Sequence, residues 1–158
     1  MSLGDEERSA MVTLEIERAK SLMGEMDYLQ QGKLWNNMAV RLYYALFHAV
    51  CALMIHDGHK VGTHKGSHIL FSQLYVKTGI LPVKYSELYK QMEIIRNNGD
   101  YNCYYDVKPE ELLDRMPLAK EMIDTIAEMV EEGKRSPGGA KGPQAGNSFP
   151  ETITNNEK

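Results

Sequence analysis

Hydrophobic positions recur at three- and four-residue steps along most of the chain, which is the spacing of one face of a helix. In the first segment, for example, the spaced apolar positions begin at Val12 and continue to Leu29. Strand-type alternation of apolar and polar residues is absent from the sequence. The pattern predicts five helices, at 5–31, 34–55, about 67–78, about 82–98 and 109 to about 132. We therefore expect an all-α fold, a five-helix up-and-down bundle with antiparallel neighbours.

Glycine and proline mark the predicted helix boundaries. Gly32, Gly79 and Gly99 are expected to end the first, third and fourth helices, because glycine adopts the left-handed cap conformation at low cost. Pro109 suits the first turn of the fifth helix, where its missing N–H has no partner to lose. Pro117 lies inside that helix and predicts a kink.

The second predicted helix is apolar almost all round, which is typical of the central helix of a bundle. Its polar exceptions step by four, three and four residues and so share one face: Asn37, Arg41, Tyr44 and His48. This polar stripe either lines a cleft, or caps neighbouring helix ends or bonds across a dimer seam. Because a guanidinium keeps its charge, Arg41 needs an acidic or phosphate partner, and Asp100 is the expected acid.

Composition narrows the class of protein. The net charge is −4 and the pI is about 5.7 over 158 residues, which argues against a broad basic nucleic-acid-binding face but leaves room for a local basic patch. The two cysteines form neither a metal-type pair nor a disulfide framework, so we expect a reducing, cytoplasmic setting. Neither a signal segment nor an apolar run of membrane-spanning length is recognised, so we expect no membrane association.

The predicted domain organisation has three parts. Residues 1–9 form a leading segment whose first residues are typical of an expression vector, residues 10–132 form the bundle, and residues 133–158 form a flexible tail. The tail prediction rests on a composition rich in Gly, Pro, Ser and Asn and poor in large apolar residues.

The connection between the second and third helices is rich in histidine, lysine and glycine. Its histidine spacings resemble those of metal sites, but HExxH is absent, and solvated loop histidines are the favoured interpretation. Lys60, His64 and Lys65 could hold an anion together with backbone amides before the third helix, and a simple surface loop is the alternative. We expect no metal and no cofactor.

The segment RNNGDYNCYY at 96–105 allows two interpretations. Arg96 suits the last turn of a helix and Gly99 suits its stop. The surplus tyrosines either cover the end of the bundle or stack on nucleic-acid bases.

Three runs taken together resemble the HEPN domains, specifically their small prokaryotic branch: AVRLYYALFHAVCAL at 39–53, GTHKGSHILFSQLYVKTG at 62–79 and RNNGDY at 96–101. The resemblance covers roughly residues 10–131. It implies a helical bundle that forms a homodimer, and in many members a ribonuclease of toxin–antitoxin or antiviral systems, often encoded beside a minimal nucleotidyltransferase.

The resemblance also implies a catalytic pattern, and this sequence departs from it. Catalytic members carry an arginine followed, after four to six residues, by a histidine, in a metal-independent RNA-cleaving site shared across the dimer. Arg96 matches the arginine, whereas Tyr101, Asn102 and Cys103 stand at the histidine positions. None of these three is a good general base at neutral pH, since the pKa of tyrosine, for example, is about 10. His48 or His64 would have to fold into the cleft and substitute.

The leading hypothesis is a non-catalytic or weakly catalytic HEPN-like homodimer that binds a nucleotide or RNA and acts with a minimal nucleotidyltransferase partner. Its cleft would consist of Asn37, Arg41, Tyr44, His48, Arg96, Asp100 and Tyr101. One alternative is a metal-independent endoribonuclease of the toxin type that uses Arg96 with a displaced base such as His48. The other is a purely structural dimerisation module.

Overall fold

The computed structural model describes residues 4–135, with the side chains of residues 65 and 132–135 excepted. The helices are α1 (Asp5–Gly24), α2 (Met26–Gln31), α3 (Trp35–His56), α4 (His64–Phe71), α5 (Val83–Tyr101), α6 (Pro109–Leu113) and α7 (Met116–Arg135). A π-helical turn, Ser72–Val76, continues α4. The pairs α1–α2 and α6–α7 each correspond to one of the five predicted helices. Every regular element within the described residues is helical, so the all-α prediction is confirmed. The predicted tail begins within α7, and from residue 136 onward it lies outside the described residues.

Several predicted boundaries differ from the observed ones. The first predicted helix is interrupted at Glu25, and the fifth is interrupted before Met116, so the break precedes Pro117. Pro117 instead occupies the first turn of α7, where a missing N–H is tolerated. The third helix begins earlier than predicted, at His64, because the Thr63 hydroxyl caps it by accepting a hydrogen bond from the amide of residue 66 at 3.0 Å.

One of the three glycine predictions is wrong, and that for Gly32 is correct in position but not in backbone conformation. Gly79 does have a positive φ of 79°, as a helix stop requires. Gly99 does not end α5, which continues to Tyr101. After α2 the left-handed conformation falls on Lys33, with a φ of 55°, whereas Gly32 stays right-handed. The preference of glycine for turns therefore predicted the left-handed residue after α2 and the end of α5 one or two residues away from where the structure has them.

The central position of α3 explains its composition. It packs against α1, α5 and α7, and its side chains at Leu42, Leu46 and Val50 are fully buried. Contrary to the sequence-based expectation, α3 has the length and hydropathy of a membrane-spanning helix. However, 67% of that window is buried inside the bundle, so the core accounts for its apolar composition. The polar stripe of α3 departs from this environment, since Asn37 and Arg41 are exposed and Tyr44 and His48 are half-buried, and it marks the candidate site.

Candidate functional site

The polar stripe of α3 lines a cavity of about 520 Å³, which we call the stripe cavity. Its volume lies within the range of small-molecule sites. The lining residues are Arg18, Leu22, Leu29, Asn37, Val40, Arg41, Tyr44, His48 and Asp100. The structure thus brings together on one wall the four stripe residues that periodicity had placed on one face. Sequence analysis missed Arg18, which reaches the cavity from α1.

Arg41 does not pair with Asp100 as expected. Its Nε lies 3.7 Å from a carboxylate oxygen of Glu25, which stands at the break between α1 and α2. The two side chains are about half exposed, at 48% and 46%. An ion pair of this length and exposure is weak, so the guanidinium of Arg41 remains available to a ligand in the cavity.

Arg96 has the opposite environment. Its side chain is only 13% exposed, and its Cζ lies 5.3 Å from the ring centroid of Tyr43 and 5.4 Å from that of Tyr44. One terminal nitrogen donates a hydrogen bond to the Tyr44 hydroxyl at 3.2 Å. Its Nε lies 3.3 Å from the Asp100 carboxylate, an ion pair without hydrogen-bond alignment. Arg96 therefore fixes the tyrosine and aspartate of the cavity wall but does not itself line the cavity.

The tyrosines after Arg96 have different roles. Tyr101 is 76% exposed, and its ring centroid lies 5.9 Å from the Arg96 Cζ, so it covers that guanidinium from the solvent side. It does not line the stripe cavity. Tyr104 is almost fully exposed. The Tyr105 hydroxyl donates to the Glu111 carboxylate at 2.9 Å, which anchors the segment to α6.

His48 is held by an acid from a neighbouring helix. Its Nδ1 lies 2.5 Å from a carboxylate oxygen of Glu15 on α1, and both side chains are about a quarter exposed. Of this pair, His48 lines the stripe cavity and Glu15 does not. The contact with Glu15 orients the imidazole ring, as a carboxylate does for many catalytic histidines, so the role of His48 as a base stays a prediction.

The histidine that shares the tyrosines of Arg96 is His64. Its ring centroid lies 5.5 Å from that of Tyr44 and 4.2 Å from that of Phe47, and its Nδ1 lies 3.3 Å from the Tyr43 hydroxyl. Burial, followed by the positive charge of Arg96, lowers the pKa of His64 below its usual value. The imidazole is therefore neutral at physiological pH. The buried Tyr43 beside it is neutral as well, because burial raises its pKa to about 12.

The structure describes two of the three side chains of the predicted anion loop, Lys60 and His64. His64 is the first residue of α4 and turns toward the aromatic side chains of α3, whereas Lys60 is exposed in the loop. The side chain of Lys65 lies outside the described residues. The structure therefore gives no support to the three acting together.

His56, the last residue of α3, contacts the aspartate that follows the helix. His56 Nδ1 lies 2.8 Å from one oxygen of the Asp57 carboxylate, and the Tyr75 hydroxyl donates to the other at 2.7 Å. Within residues 4–135, no three His, Cys, Asp or Glu side chains are grouped so as to hold a metal ion.

Comparison with known proteins gives the same family as the sequence motifs. The model of the HEPN domain matches residues 13–132. A UPF0332 protein of Thermotoga maritima is 29% identical over 119 residues, which span 75% of this chain and 90% of that protein.

Two relatives from Methanocaldococcus jannaschii carry toxin names. The one named "Putative toxin MJ0605" is 26% identical over 118 residues, 74% of this chain and 87% of that protein. The one named "Putative toxin MJ0142" is 26% identical over 96 residues, 61% of this chain and 65% of that protein. Since the family model covers most of the bundle, the chain belongs to the HEPN domain family.

Proposed function

We propose that this chain binds a single-stranded RNA segment or a nucleotide in the stripe cavity, with a phosphate at Arg18 and Arg41. The observation that carries the proposal is the charge of the lining. Two arginines reach the cavity from different helices, while its one lining acid, Asp100, is already paired with Arg96. The lining side chains therefore carry more positive than negative charge, with Glu25 outside the lining and only weakly paired with Arg41, and such a wall favours an anionic ligand even though the whole chain is acidic.

The remaining lining residues suit the rest of a nucleotide. Asn37 offers both an amide donor and an amide acceptor for a base edge. The Tyr44 ring stands on the same wall, where a base can stack on it. Arg96 acts indirectly, since its hydrogen bond to the Tyr44 hydroxyl fixes the orientation of that ring.

Fluorescence anisotropy with a labelled single-stranded RNA tests the proposal. Arg18→Ala and Arg41→Ala should each weaken binding by roughly tenfold or more, because a charge-assisted hydrogen bond to phosphate is lost. Each variant should also reduce the slope of log K against log salt by about 0.7, the value for one phosphate contact to a single strand. Arg8→Ala is the matched control, because Arg8 lies on α1 outside the lining. Wild-type affinity in both cavity variants, or an absence of RNA binding, would refute the proposal.

The proposal extends to assembly. We infer a homodimer that acts with a minimal nucleotidyltransferase in a toxin–antitoxin or defence-type system, as the family resemblance implies. The toxin names of two relatives support the toxin side of this proposal. Light scattering after size exclusion should give twice the chain mass of 17.9 kDa, and a further shift on co-expression with a neighbouring nucleotidyltransferase gene. A monomeric mass that the nucleotidyltransferase leaves unchanged would contradict it.

The arrangement of His64 favours metal-independent RNA cleavage as a second candidate function. His64 is held neutral and contacts the same tyrosines as Arg96, so it has the protonation state of a general base. It would take the proton of a 2′-hydroxyl while the 2′-oxygen attacks phosphorus. The bond to the 5′-oxygen then breaks, and water protonates the leaving group.

Cleavage assays separate the two functions. The nuclease candidate expects cleavage in the presence of a chelator that His64→Gln abolishes and His48→Gln retains. His48→Gln tests the other candidate base, and loss of cleavage in that variant alone would assign the proton transfer to His48 instead. Binding without any cleavage leaves the first function alone.

A further inference from the structure

A second cavity adjoins the stripe cavity at Asn37. It has a volume of about 390 Å³ and is lined by Lys33, Leu34, Trp35, Asn36, Asn37, Asp106 and Val107. Asn37 belongs to the lining of both cavities. A ligand that fills the stripe cavity can therefore continue past Asn37 without leaving the protein surface.

Two hydrogen bonds hold the walls of this second cavity in place. On one side, the turn between α2 and α3 is closed by a hydrogen bond from the Leu34 amide to the Leu29 carbonyl at 2.9 Å. On the other side, the Asn36 side-chain oxygen accepts a hydrogen bond from the Val107 amide at 2.9 Å. This bond holds the connection between α5 and α6 against the beginning of α3. Both walls of the cavity are therefore held by hydrogen bonds within the fold.

The chemistry of the lining suits a nucleotide rather than a lone anion. Trp35 is half-buried and presents an aromatic surface on which a base can stack. Lys33 lies in the turn between α2 and α3, where its backbone is left-handed with a φ of 55°. The side chain is exposed, so its ammonium group can contact a phosphate. The Asp106 carboxylate would repel a phosphate but accepts hydrogen bonds from the amino groups of bases.

We propose that this second cavity is a subsite for the neighbouring nucleotide of a single strand. The preferred ligand of the chain is then an oligonucleotide of at least two residues, which binds more tightly than a mononucleotide. The inference rests on the proposed function, since the first phosphate is placed at Arg18 and Arg41. Asn37 would lie between the two bound nucleotides.

The chain supplies its own probe for this subsite, because Trp35 is its only tryptophan. Titration with a nucleoside monophosphate should give heat of binding by calorimetry but leave the tryptophan fluorescence unchanged. A 5′-phosphorylated dinucleotide should quench that fluorescence and bind roughly tenfold more tightly or better, as expected for one added stacked base.

Two variants make the test specific. Lys33→Gly removes the ammonium group while glycine accepts the positive φ readily, so the fold is retained. It should reduce the advantage of the dinucleotide over the mononucleotide by several-fold and leave mononucleotide affinity unchanged. Lys77→Gly is the matched control, because Lys77 is exposed and lines neither cavity.

Each outcome decides a different point. If both ligands bind equally and the dinucleotide does not quench Trp35, the subsite is refuted while the proposed function stands. Quenching by the mononucleotide alone also refutes it, because the first nucleotide would then occupy the Trp35 cavity. If neither ligand binds, the proposed function fails and the subsite fails with it.

Discussion

Replacing Arg96 by alanine should destabilise the protein much more than replacing Arg41. Arg96 is 13% exposed, and its hydrogen bond to the Tyr44 hydroxyl, made by a charged donor, contributes about 1.5–3 kcal/mol. Its contacts with the surrounding tyrosine rings add about 0.5–2 kcal/mol. Asp100 is 35% exposed and keeps access to water, so the lost ion pair adds at most about 1 kcal/mol. We expect a total loss of about 2–4 kcal/mol, since such terms overlap.

Arg41→Ala is the matched control for the same assay. Its ion pair with Glu25 is half exposed on both sides and should contribute about 0–1 kcal/mol. Urea unfolding followed by circular dichroism gives both free energies of unfolding. The titrations should be run at two protein concentrations, because dimer formation would make the midpoint depend on concentration. For RNA binding the order should be reversed among folded molecules, with Arg41→Ala the more harmful of the two.

Two results would refute this reasoning. A loss of less than about 1 kcal/mol in Arg96→Ala would show that the tyrosine contacts do not stabilise the fold, because that is the ordinary cost of a point mutation. A loss of about 3–5 kcal/mol in Arg41→Ala would show that its charge is buried and paired in the working protein, for example in a dimer. The purely structural interpretation of the stripe would then be preferred.

Three further outcomes follow from particular residues. Because burial lowers the pKa of His64, the unfolded state binds its proton more tightly, so the free energy of unfolding should fall as the pH drops below about 6.5. Urea unfolding at a series of pH values should show a smaller decrease of this free energy in His64→Gln than in the wild type. Gly99→Ala should raise the free energy of unfolding by about 0.5–1 kcal/mol, because residue 99 lies inside α5. The new Cβ would lie 3.4 Å from a Val107 methyl group, which is an ordinary contact. A lower free energy of unfolding in urea titrations would show that this contact is too tight. A thiol reagent should label the exposed Cys103 in the native protein, and Cys51 only after denaturation. Cys51 is buried, and burial raises its pKa to about 12. Rapid labelling of both cysteines in the native protein would contradict the buried position of Cys51.

The stripe was predictable because its geometry is local. Residues that step by three and four along one helix share a face whatever surrounds them, so Asn37, Arg41, Tyr44 and His48 could be grouped from the sequence. Their partners depend on how helices pack against each other. Arg18 therefore went unnoticed, and the acid next to Arg41 proved to be Glu25.

The position of His64 shows the same limit at longer range. The sequence places His64 in a basic loop. In the structure Thr63 caps α4, so that the helix begins at His64, but a single threonine before a short helical pattern does not predict such a cap. The contact of His64 with Tyr43 spans 21 residues, and nothing in the local sequence indicates it. Sequence analysis could name both His48 and His64 as possible substitute bases, but only the folded chain shows that His64 contacts the tyrosines of Arg96 while His48 contacts Glu15.

The two arginines of the family-like motifs therefore support different conclusions. Arg96 stands where catalytic HEPN members carry their arginine, yet its contacts with Tyr44 and Asp100 and its low exposure give it a complete structural role. Its presence alone is thus no argument for RNA cleavage, because packing would require it in a chain that only binds. Arg41 is half exposed, weakly paired and directed at a cavity, so it has no comparable structural role and is better explained by a ligand. Cleavage, if this chain performs it, has to be argued from His64, and binding has to be argued from Arg18 and Arg41.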